Sequence, residues 1–190
     1  DRADSGKSYS NVFHANGGSA SFSVMANTLR GVYGTDVLLA TANSFTGSIL
    51  RADYNKKMAA SMIMPNGLMS RQRTMTGAEL KETVRAFVEG CEGGFVPFNR
   101  GSLPVVSGIA VEVKEASGSY TLTGITRNGQ PLRDDDTVTV TCLAAEKQME
   151  ALLASESGTP LDGDTWVKNR WRDHVSGGGA ALAEPETTLR

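Results

Sequence analysis

The sequence predicts an α+β fold in which a mixed β-sheet packs between helices. Two observations support this prediction. Apolar residues at helical spacing end at glycines and are followed directly by the continuous run Val37-Leu38-Leu39-Ala40, which is typical of a strand buried on both faces. Strand patterns then dominate the middle of the chain, and helical patterns return after them.

The first half of the chain alternates between helix and strand signals. The first helix is predicted from four apolar residues at helical spacing and two glycines at its end, namely Phe22, Met25, Ala26 and Leu29, then Gly31 and Gly34. A short helix over 56–64 is ended by Pro65-Asn66-Gly67. A half-exposed strand over 68–75 leads into Thr76-Gly77-Ala78-Glu79, a capping box that opens a helix ending by Gly90.

The second half begins with strands and ends with helices. Three strand segments are predicted, over 105–113, 120–126 and 137–141. Asn128-Gly129 is a strong signal for a tight hairpin turn before the last of them. A helix over 144–154, a loop over 155–163 and a helix over 164–175 capped by Asp164 complete the chain.

Composition excludes several classes of function. The chain of 190 residues suits one ordinary domain, and its 19 basic and 21 acidic side chains leave a formal charge of -2, which argues against a nucleic-acid binder. No apolar run is long enough to predict a membrane span. Two histidines and two cysteines without CxxC spacing are too few soft ligands for a zinc site, so no metal is expected in this chain.

The cysteines and the first residues of the chain carry two further expectations. Cys91 and Cys142 are expected to be buried thiols, although their number neither requires nor excludes a disulfide. The polar start without an initiator methionine predicts that residues 1–15 are a linker remnant from an upstream domain. Residues 16–190 are then expected to form a single domain.

The loop after the strand at 37–40 is the first candidate binding site. Ligands of open α/β sheets usually lie at the carboxyl ends of the strands. In this loop, Asn43 can hydrogen-bond a sugar hydroxyl, and Arg51 can clamp a phosphate or a carboxylate with its planar guanidinium. The alternative is structural, with Asn43 capping a turn and Arg51 lying solvated at the surface.

A second candidate is the loop around residues 95–100. Phe98, Asn99 and Arg100 combine an aromatic face, an amide and a guanidinium, which can stack on a planar heterocycle and hydrogen-bond to it. The alternative is that Phe95 and Phe98 anchor a long loop onto the core. The sequence contains no phosphate loop, no GxSxG and no HExxH motif, so no catalytic residue is predicted.

Six short motifs occur in a fixed order along the chain. They are Gly34-Thr35-Asp36-Val37-Leu38-Leu39-Ala40, Gly47-Ser48-Ile49, Pro65, Met75-Thr76-Gly77-Ala78-Glu79-Leu80-Lys81, Val106-Ser107-Gly108-Ile109 and Asn128-Gly129-Gln130-Pro131-Leu132. Together they resemble the carboxy-terminal domain of the 5'-nucleotidase and UDP-sugar hydrolase family. No single motif is diagnostic, but the ordered set is fairly specific. It extends from about residue 16 to residue 143, and more weakly to the end of the chain.

The resemblance implies a two-domain parent protein. An amino-terminal metallophosphoesterase domain would hold a pair of divalent metal ions and hydrolyse nucleotides or related phosphate esters, and this chain would present the substrate to it. That domain is then the expected partner, with a small-molecule phosphate ester as the ligand of this chain. A hinge movement is expected to deliver the substrate. Family members are typically secreted, periplasmic or attached to the cell surface.

The ligand-binding motifs of the family are altered in this chain. Its usual Asn-x-Gly-Gly-Ile-Arg loop aligns with residues 45–51, which displaces Arg51 by one position, and its asparagine is either lost or moved back to Asn43. Its Pro-Phe-Gly-Asn motif reads Pro65-Asn66-Gly67-Leu68 here, so the stacking ring is absent and Asn66 is the remaining polar candidate. The third motif, around 142–148, lacks its ring and its aspartate.

Two rings can replace those that are absent. Phe45 and Phe98 lie in loops that can face a ligand, and they are candidate substitutes for the usual stacking rings. The alternative function is a non-catalytic surface module, either binding or structural, derived from this domain.

Overall fold

A computed structural model of the chain describes residues 3–4, 20–41, 44–46, 53–54, 56–63, 68–89, 104–116, 119–144, 159–161, 167–176 and 182. Within these ranges the helices are α1 (Ala20–Tyr33), α2 (Lys56–Ser61), α3 (Gly77–Glu89) and α4 (Val167–Ser176). The strands are β1 (Ala3–Asp4), β2 (Val37–Thr41), β3 (Asp53–Tyr54), β4 (Met69–Thr76), β5 (Pro104–Ser107), β6 (Ala110–Ala116), β7 (Ser119–Arg127), β8 (Gln130–Pro131), β9 (Thr137–Ala144) and β10 (Thr159–Leu161).

The main sheet has five strands in the order β10-β4-β9-β2-β5. Strands β2 and β9 run parallel, with Val37 facing Val140, whereas the other neighbours are antiparallel. The sheet is therefore mixed, as the sequence predicts. Strand β2 lies between β9 and β5, and its residues 37–40 are buried, which confirms the continuous apolar run as an internal strand.

The two faces of this sheet form two separate cores. Successive side chains of a strand point to opposite faces, so Leu38 and Ala40 enter the first core while Val37 and Leu39 enter the second. Helices α1, α2 and α4 contribute apolar side chains to the first core. Helix α3 and the three-stranded sheet β6-β7-β8 cover the second. The predicted α+β fold, with its sheet between helices, is confirmed.

Helix α3 begins at Gly77 because a capping box and two backbone hydrogen bonds satisfy the N–H groups at its amino end. Thr76 N donates to Glu79 Oε2 at 2.7 Å and Glu79 N donates to Thr76 Oγ1 at 3.3 Å, which confirms the capping box. The backbone N–H groups of Gly77 and Ala78 donate to the carbonyl oxygens of Asp136 and Asp134. A Cβ at position 77 would lie 1.8 Å from the carbonyl oxygen of Arg133, so only glycine permits this approach.

The predicted strand over 105–113 is wrong as a single element. It divides into β5, which belongs to the five-stranded sheet, and β6, which belongs to the three-stranded sheet. Gly108 lies between them with a φ of 83°, a left-handed conformation that breaks the extended run. The apolar pattern continues across the break because both strands contribute to the second core.

The tight turn at Asn128-Gly129 is confirmed, with φ values of 52° and 76° at its two central residues. It joins β7 to the two-residue strand β8. Strand β9 does not join this three-stranded sheet; it pairs with β4 and β2 in the five-stranded sheet. The sequence pattern locates the turn but not the partner of the strand that follows.

Three boundaries near the ends of elements differ from the predictions. Helix α2 ends at Ser61, before the predicted end at residue 64. Ala144 is the last residue of β9 rather than the first of a helix, and the rest of the predicted helix over 144–154 lies outside the described residues. The predicted loop over 155–163 contains β10, which pairs with β4. Helix α4 confirms the predicted last helix.

The first residues of the chain also take part in pairing. Ala3 and Asp4 form β1, antiparallel to Tyr54 and Asp53 of β3. The stretch predicted as a linker remnant thus contributes a short strand next to the loop that precedes α2.

Candidate functional site

Four strands of the main sheet have an end at the same edge. The parallel register of β2 and β9 places their carboxyl ends, Thr41 and Ala144, level with each other. The antiparallel neighbours start there, because Pro104 of β5 faces Thr41 and Met69 of β4 faces Ala144. We call these four residues the site edge. At the usual strand spacing they form a row about 14 Å long.

The predicted binding loops are attached to the site edge. Asn43 follows Thr41 by two residues, Asn66 precedes Met69 by three, and Arg100 precedes Pro104 by four. Phe98 and Asn99 belong to the same segment before β5. The structure therefore brings together the attachment points of the two predicted loops and of the turn that carries Asn66, at the position where open sheets usually bind ligands. Asn43, Arg51, Asn66, Phe98, Asn99 and Arg100 themselves lie outside the described residues.

Phe45 is the one predicted site residue whose surroundings are described. Its side chain is only 4% exposed, and its ring lies 5.8 Å from the ring of Phe22 in the first core. This burial favours the role of an anchor over that of a ring stacked on a ligand. Phe45 therefore holds the segment after β2 to the first core.

The backbone around Phe45 is fixed at several points. Thr41 N donates to Ser44 Oγ at 3.4 Å, a long hydrogen bond that spans residues 42 and 43. Phe45 forms an isolated antiparallel bridge with Ile63, and Thr46 N donates to Met62 O at 2.9 Å. The segment after β2 is thereby joined to the end of the α2 segment, which leads towards β4.

Two arginines of β4, the strand that starts at the site edge, were not among the sequence-based candidates. Arg71 faces Cys142 and Arg73 faces Val140 across the β4–β9 ladder, and both arginines are half-buried. Their spacing by two residues puts them on the same face of the sheet as Cys142. The sequence signal that could have identified these two arginines is their alternate spacing within a strand that starts at the site edge.

Cys142 has no nucleophilic role in this arrangement. Desolvation by burial raises the pKa of its thiol to about 12, although the charge of Arg73 acts in the opposite direction. The side chain is a free thiol, 6% exposed. A thiol with this pKa stays protonated near neutral pH, and it packs as a small apolar group in the second core.

Among the residues that the structure describes, no three His, Cys, Asp or Glu side chains lie close enough together to hold a metal ion. No described helix has both the length and the apolar character needed to cross a membrane.

Comparison with known proteins identifies the fold. No protein-family model and no curated protein sequence matches the chain. Among solved structures, a 5'-nucleotidase precursor from Thermus thermophilus has a TM-score of 0.73 at 14% sequence identity. The NAD nucleotidase from Haemophilus influenzae has a TM-score of 0.64 at 16% identity, and a sulfate thiohydrolase from Thermus thermophilus has 0.65 at 11%.

These matches cover nearly all of this chain but only part of each matched chain. The T. thermophilus nucleotidase match covers 99% of this chain but 38% of the other chain. The other two matches cover 91% and 90% of this chain, and 33% and 32% of the others. The chain thus has the fold of about one third of each of these three proteins.

Proposed function

We propose that this chain is the carboxy-terminal, substrate-recognising domain of a 5'-nucleotidase-like phosphoesterase. The observation that carries this proposal is the match over 99% of this chain to 38% of a 5'-nucleotidase precursor, with a TM-score of 0.73. The convergence of the predicted binding loops on the site edge supports recognition as the role of the domain.

The chemistry of hydrolysis is assigned to the rest of the parent protein. The described residues do not offer a group of metal ligands, and the sequence contains no motif for a nucleophile or a phosphate loop. The family that the motifs resemble carries a divalent metal pair on an amino-terminal metallophosphoesterase domain, and such a domain is the proposed partner of this chain. We place the parent outside the cytoplasm, either secreted, periplasmic or at the cell surface, in line with the family that the motifs resemble.

The proposed ligand is a nucleotide or a related phosphate ester. Arg51 and Arg100 supply guanidinium groups for a phosphate, while Asn43, Asn66 and Asn99 supply amides for hydroxyl groups or a base. With Phe45 buried, Phe98 is the remaining candidate for a ring that stacks on the base. Arg71, two residues from the start of β4, adds positive charge near the same edge.

Isothermal titration of the purified chain with AMP, NAD and UDP-glucose tests recognition directly. We expect one of them to bind and to raise the melting temperature of the chain, because a ligand of the folded state stabilises it. Arg51→Ala should weaken that binding. Arg133→Ala is the matched control, because Arg133 is exposed and pairs with Asp135 near the amino end of β9, opposite the site edge.

The parent protein provides the second half of the test. We expect it to hydrolyse the ligand that this chain binds, and to lose that activity when a chelator removes divalent metal ions. If the chain binds none of the three compounds and the parent hydrolyses none, the non-catalytic surface module replaces the phosphoesterase as the function.

A further inference from the structure

Three of the four outer strands in the two larger sheets contain a proline. The outer strands that the structure describes are β10 and β5 in the five-stranded sheet, and β6 and β8 in the three-stranded sheet. Pro160 lies in β10, Pro104 in β5 and Pro131 in β8. The inner strands β2, β4, β7 and β9 contain no proline. An outer strand presents backbone N–H and C=O groups with which another strand can pair, so the direction of these groups decides what the prolines do.

The direction of the backbone groups is clearest in β8. Leu132, the residue after this strand, donates its N–H to Ile125 O of β7 at 2.9 Å. Backbone groups alternate in direction along an antiparallel strand, so those of Pro131 point away from β7. Proline has no N–H, and the outward side of Pro131 therefore offers only a carbonyl oxygen.

Thr139 shows the direction of the backbone groups in the five-stranded sheet. Its N–H donates to Asp36 Oδ2 at 2.8 Å, and Asp36 directly precedes β2, so the odd-numbered residues of β9 point towards β2. The even-numbered residues of β9 then bond to β4. Because Arg73 faces Val140, the odd-numbered residues of β4 are the ones that bond to β9.

The same alternation gives the direction of the groups in β10. With its odd-numbered residues bonded to β9, β4 directs its even-numbered residues towards β10, where they face Thr159 and Leu161. Pro160 faces Arg73 between these two bonded pairs, so its backbone groups point away from β4. The outward side of these three residues thus offers the carbonyl oxygen of Pro160 and no N–H.

Strand β5 has the same arrangement at the other end of this sheet. Thr141 of β9 lies beside Leu38, and in a parallel pair it bonds to the residues on either side of Leu38. Leu38 itself therefore bonds to β5, where it faces Ser107. Pro104 precedes Ser107 by three residues, an odd number, so its backbone groups point away from β2.

The remaining outer strand, β6, has a different irregularity. Its pairing with β7 shifts register between Glu112 and Val113, as in a β-bulge. Bulges and prolines on outer strands are two of the devices by which proteins keep sheet edges from pairing. Each of the four outer strands described above carries one such device.

We propose that the three prolines keep this chain from pairing edge to edge with a second copy of itself. Two copies related by a two-fold axis present the same outer strand to each other. When β10 meets β10 in antiparallel orientation about position 160, the two residues at that position can exchange two hydrogen bonds only if each has an N–H. Proline at position 160 removes both bonds. Within the sheet no bond is lost, because an N–H at this position would not point towards β4.

Pro160→Val restores the missing N–H. Thr159→Val is the matched control, because it introduces the same side chain at a position whose N–H already points towards β4. Sedimentation velocity from micromolar to millimolar concentration measures the association of each variant. We expect Pro160→Val to associate about ten-fold or more tightly than Thr159→Val, because the symmetric pair gains two hydrogen bonds. Equal association of the two variants would overturn the proposal.

Hydrogen exchange identifies the surface through which Pro160→Val associates. The new amide at position 160 should exchange slowly at concentrations where the variant is dimeric, and rapidly after dilution to the monomer. A dimer in which this amide exchanges as fast as in the monomer forms through another surface, and this result would also contradict the proposal.

A second pair of variants tests the three-stranded sheet in the same way. If Pro160→Val does not fold by circular dichroism, Pro131→Val takes its place. Gln130→Val is then the control, because residue 130 precedes Pro131 and its backbone groups point towards β7. The same ten-fold difference in association is expected between these two variants. Equal association of this pair would overturn the proposal for β8 as well.

Discussion

The carboxylate of Asp36 accepts a hydrogen bond from Arg127 Nη2 at 2.6 Å, and this contact joins the two sheets of the domain. Asp36 directly precedes β2 of the five-stranded sheet, and Arg127 is the last residue of β7 in the three-stranded sheet. The other oxygen of Asp36 accepts from both the N–H and the hydroxyl of Thr139 in β9, at 2.8 and 2.9 Å. One side chain thus connects three strands at the end of the molecule opposite the site edge.

Asp36→Asn should destabilise the domain most at neutral pH. Burial raises the pKa of Asp36, but the hydrogen bonds from Thr139 and the charges of Arg127 and Arg30 outweigh it and hold the pKa below its usual value. Because the pKa of Asp36 is lower in the folded than in the unfolded chain, its charge stabilises the folded state when the pH is above the unfolded-state pKa. This stabilisation is lost as the pH falls below about 4. Asparagine keeps only one acceptor oxygen for these donors.

Urea unfolding of both proteins at neutral and at acidic pH measures this effect. The difference in free energy of unfolding between wild type and Asp36→Asn should be largest near neutral pH and should shrink in acid. A difference that stays constant over this range would show that the charge of Asp36 does not contribute.

Gly108→Ala should be more destabilising than Gly129→Ala, although both glycines have positive φ values, 83° and 76°. A Cβ at position 108 would lie 2.0 Å from the carbonyl oxygen of Asp36, whereas nothing lies within 4 Å of a Cβ at position 129. Gly129→Ala measures backbone strain alone, about 1 to 2 kcal/mol. Gly108→Ala adds the displacement of the Asp36 backbone, and we expect about 1 kcal/mol or more beyond the control, by chemical denaturation.

Equal losses for these two variants would mean that the backbone at Asp36 relaxes freely around the added methyl group.

Local signals in the sequence predicted those parts of the fold whose cause is local. The capping box at Thr76 and Glu79 and the turn at Asn128-Gly129 depend on a few neighbouring residues, and both form as expected. The pairing of β9 with β2 is a contact between residues about 100 positions apart, and nothing in the period of either strand encodes it. Strand β10 was missed because three residues are too few to show a period.

The strands that flank the predicted binding loops have ends at one edge of the sheet, and this arrangement depends on pairing between distant parts of the chain. Phe45 resembled a free aromatic ring in the sequence, but its burial depends on Phe22, which is distant along the chain. Arg71 and Arg73 lie in a strand, where alternate polar residues are usually solvated. That this strand starts at the site edge became evident only from its pairing with β9.

The thiol of Cys142 should be unreactive in the folded protein. Its raised pKa of about 12 leaves almost no thiolate near neutral pH, and the thiolate is the form that reacts with disulfide reagents. A Cys91→Ser variant isolates the signal of Cys142 during labelling with an aromatic disulfide reagent at about pH 8. We expect labelling only after urea unfolds the chain. Labelling of the folded variant at the rate of a free cysteine peptide would contradict the burial of this thiol.

Trp171→Phe should be far less destabilising than Trp171→Ala. Trp171 is 1% exposed in the first core, and its Nε1 is buried without a hydrogen-bond partner in the part of the chain that the structure describes. Alanine leaves a large cavity, which costs about 3 to 5 kcal/mol. Phenylalanine retains most of the aromatic packing and removes a buried donor whose desolvation is itself unfavourable by about 1 to 3 kcal/mol.

The gain from removing the donor should offset much of the volume lost in Trp171→Phe, so we expect its free energy of unfolding to lie within about 1 kcal/mol of wild type. Urea unfolding followed by far-UV circular dichroism measures both variants without relying on indole fluorescence. A loss in Trp171→Phe that approaches the loss in Trp171→Ala would show that the indole N–H has a partner, because removing a satisfied donor leaves the opposite group unpaired in the core.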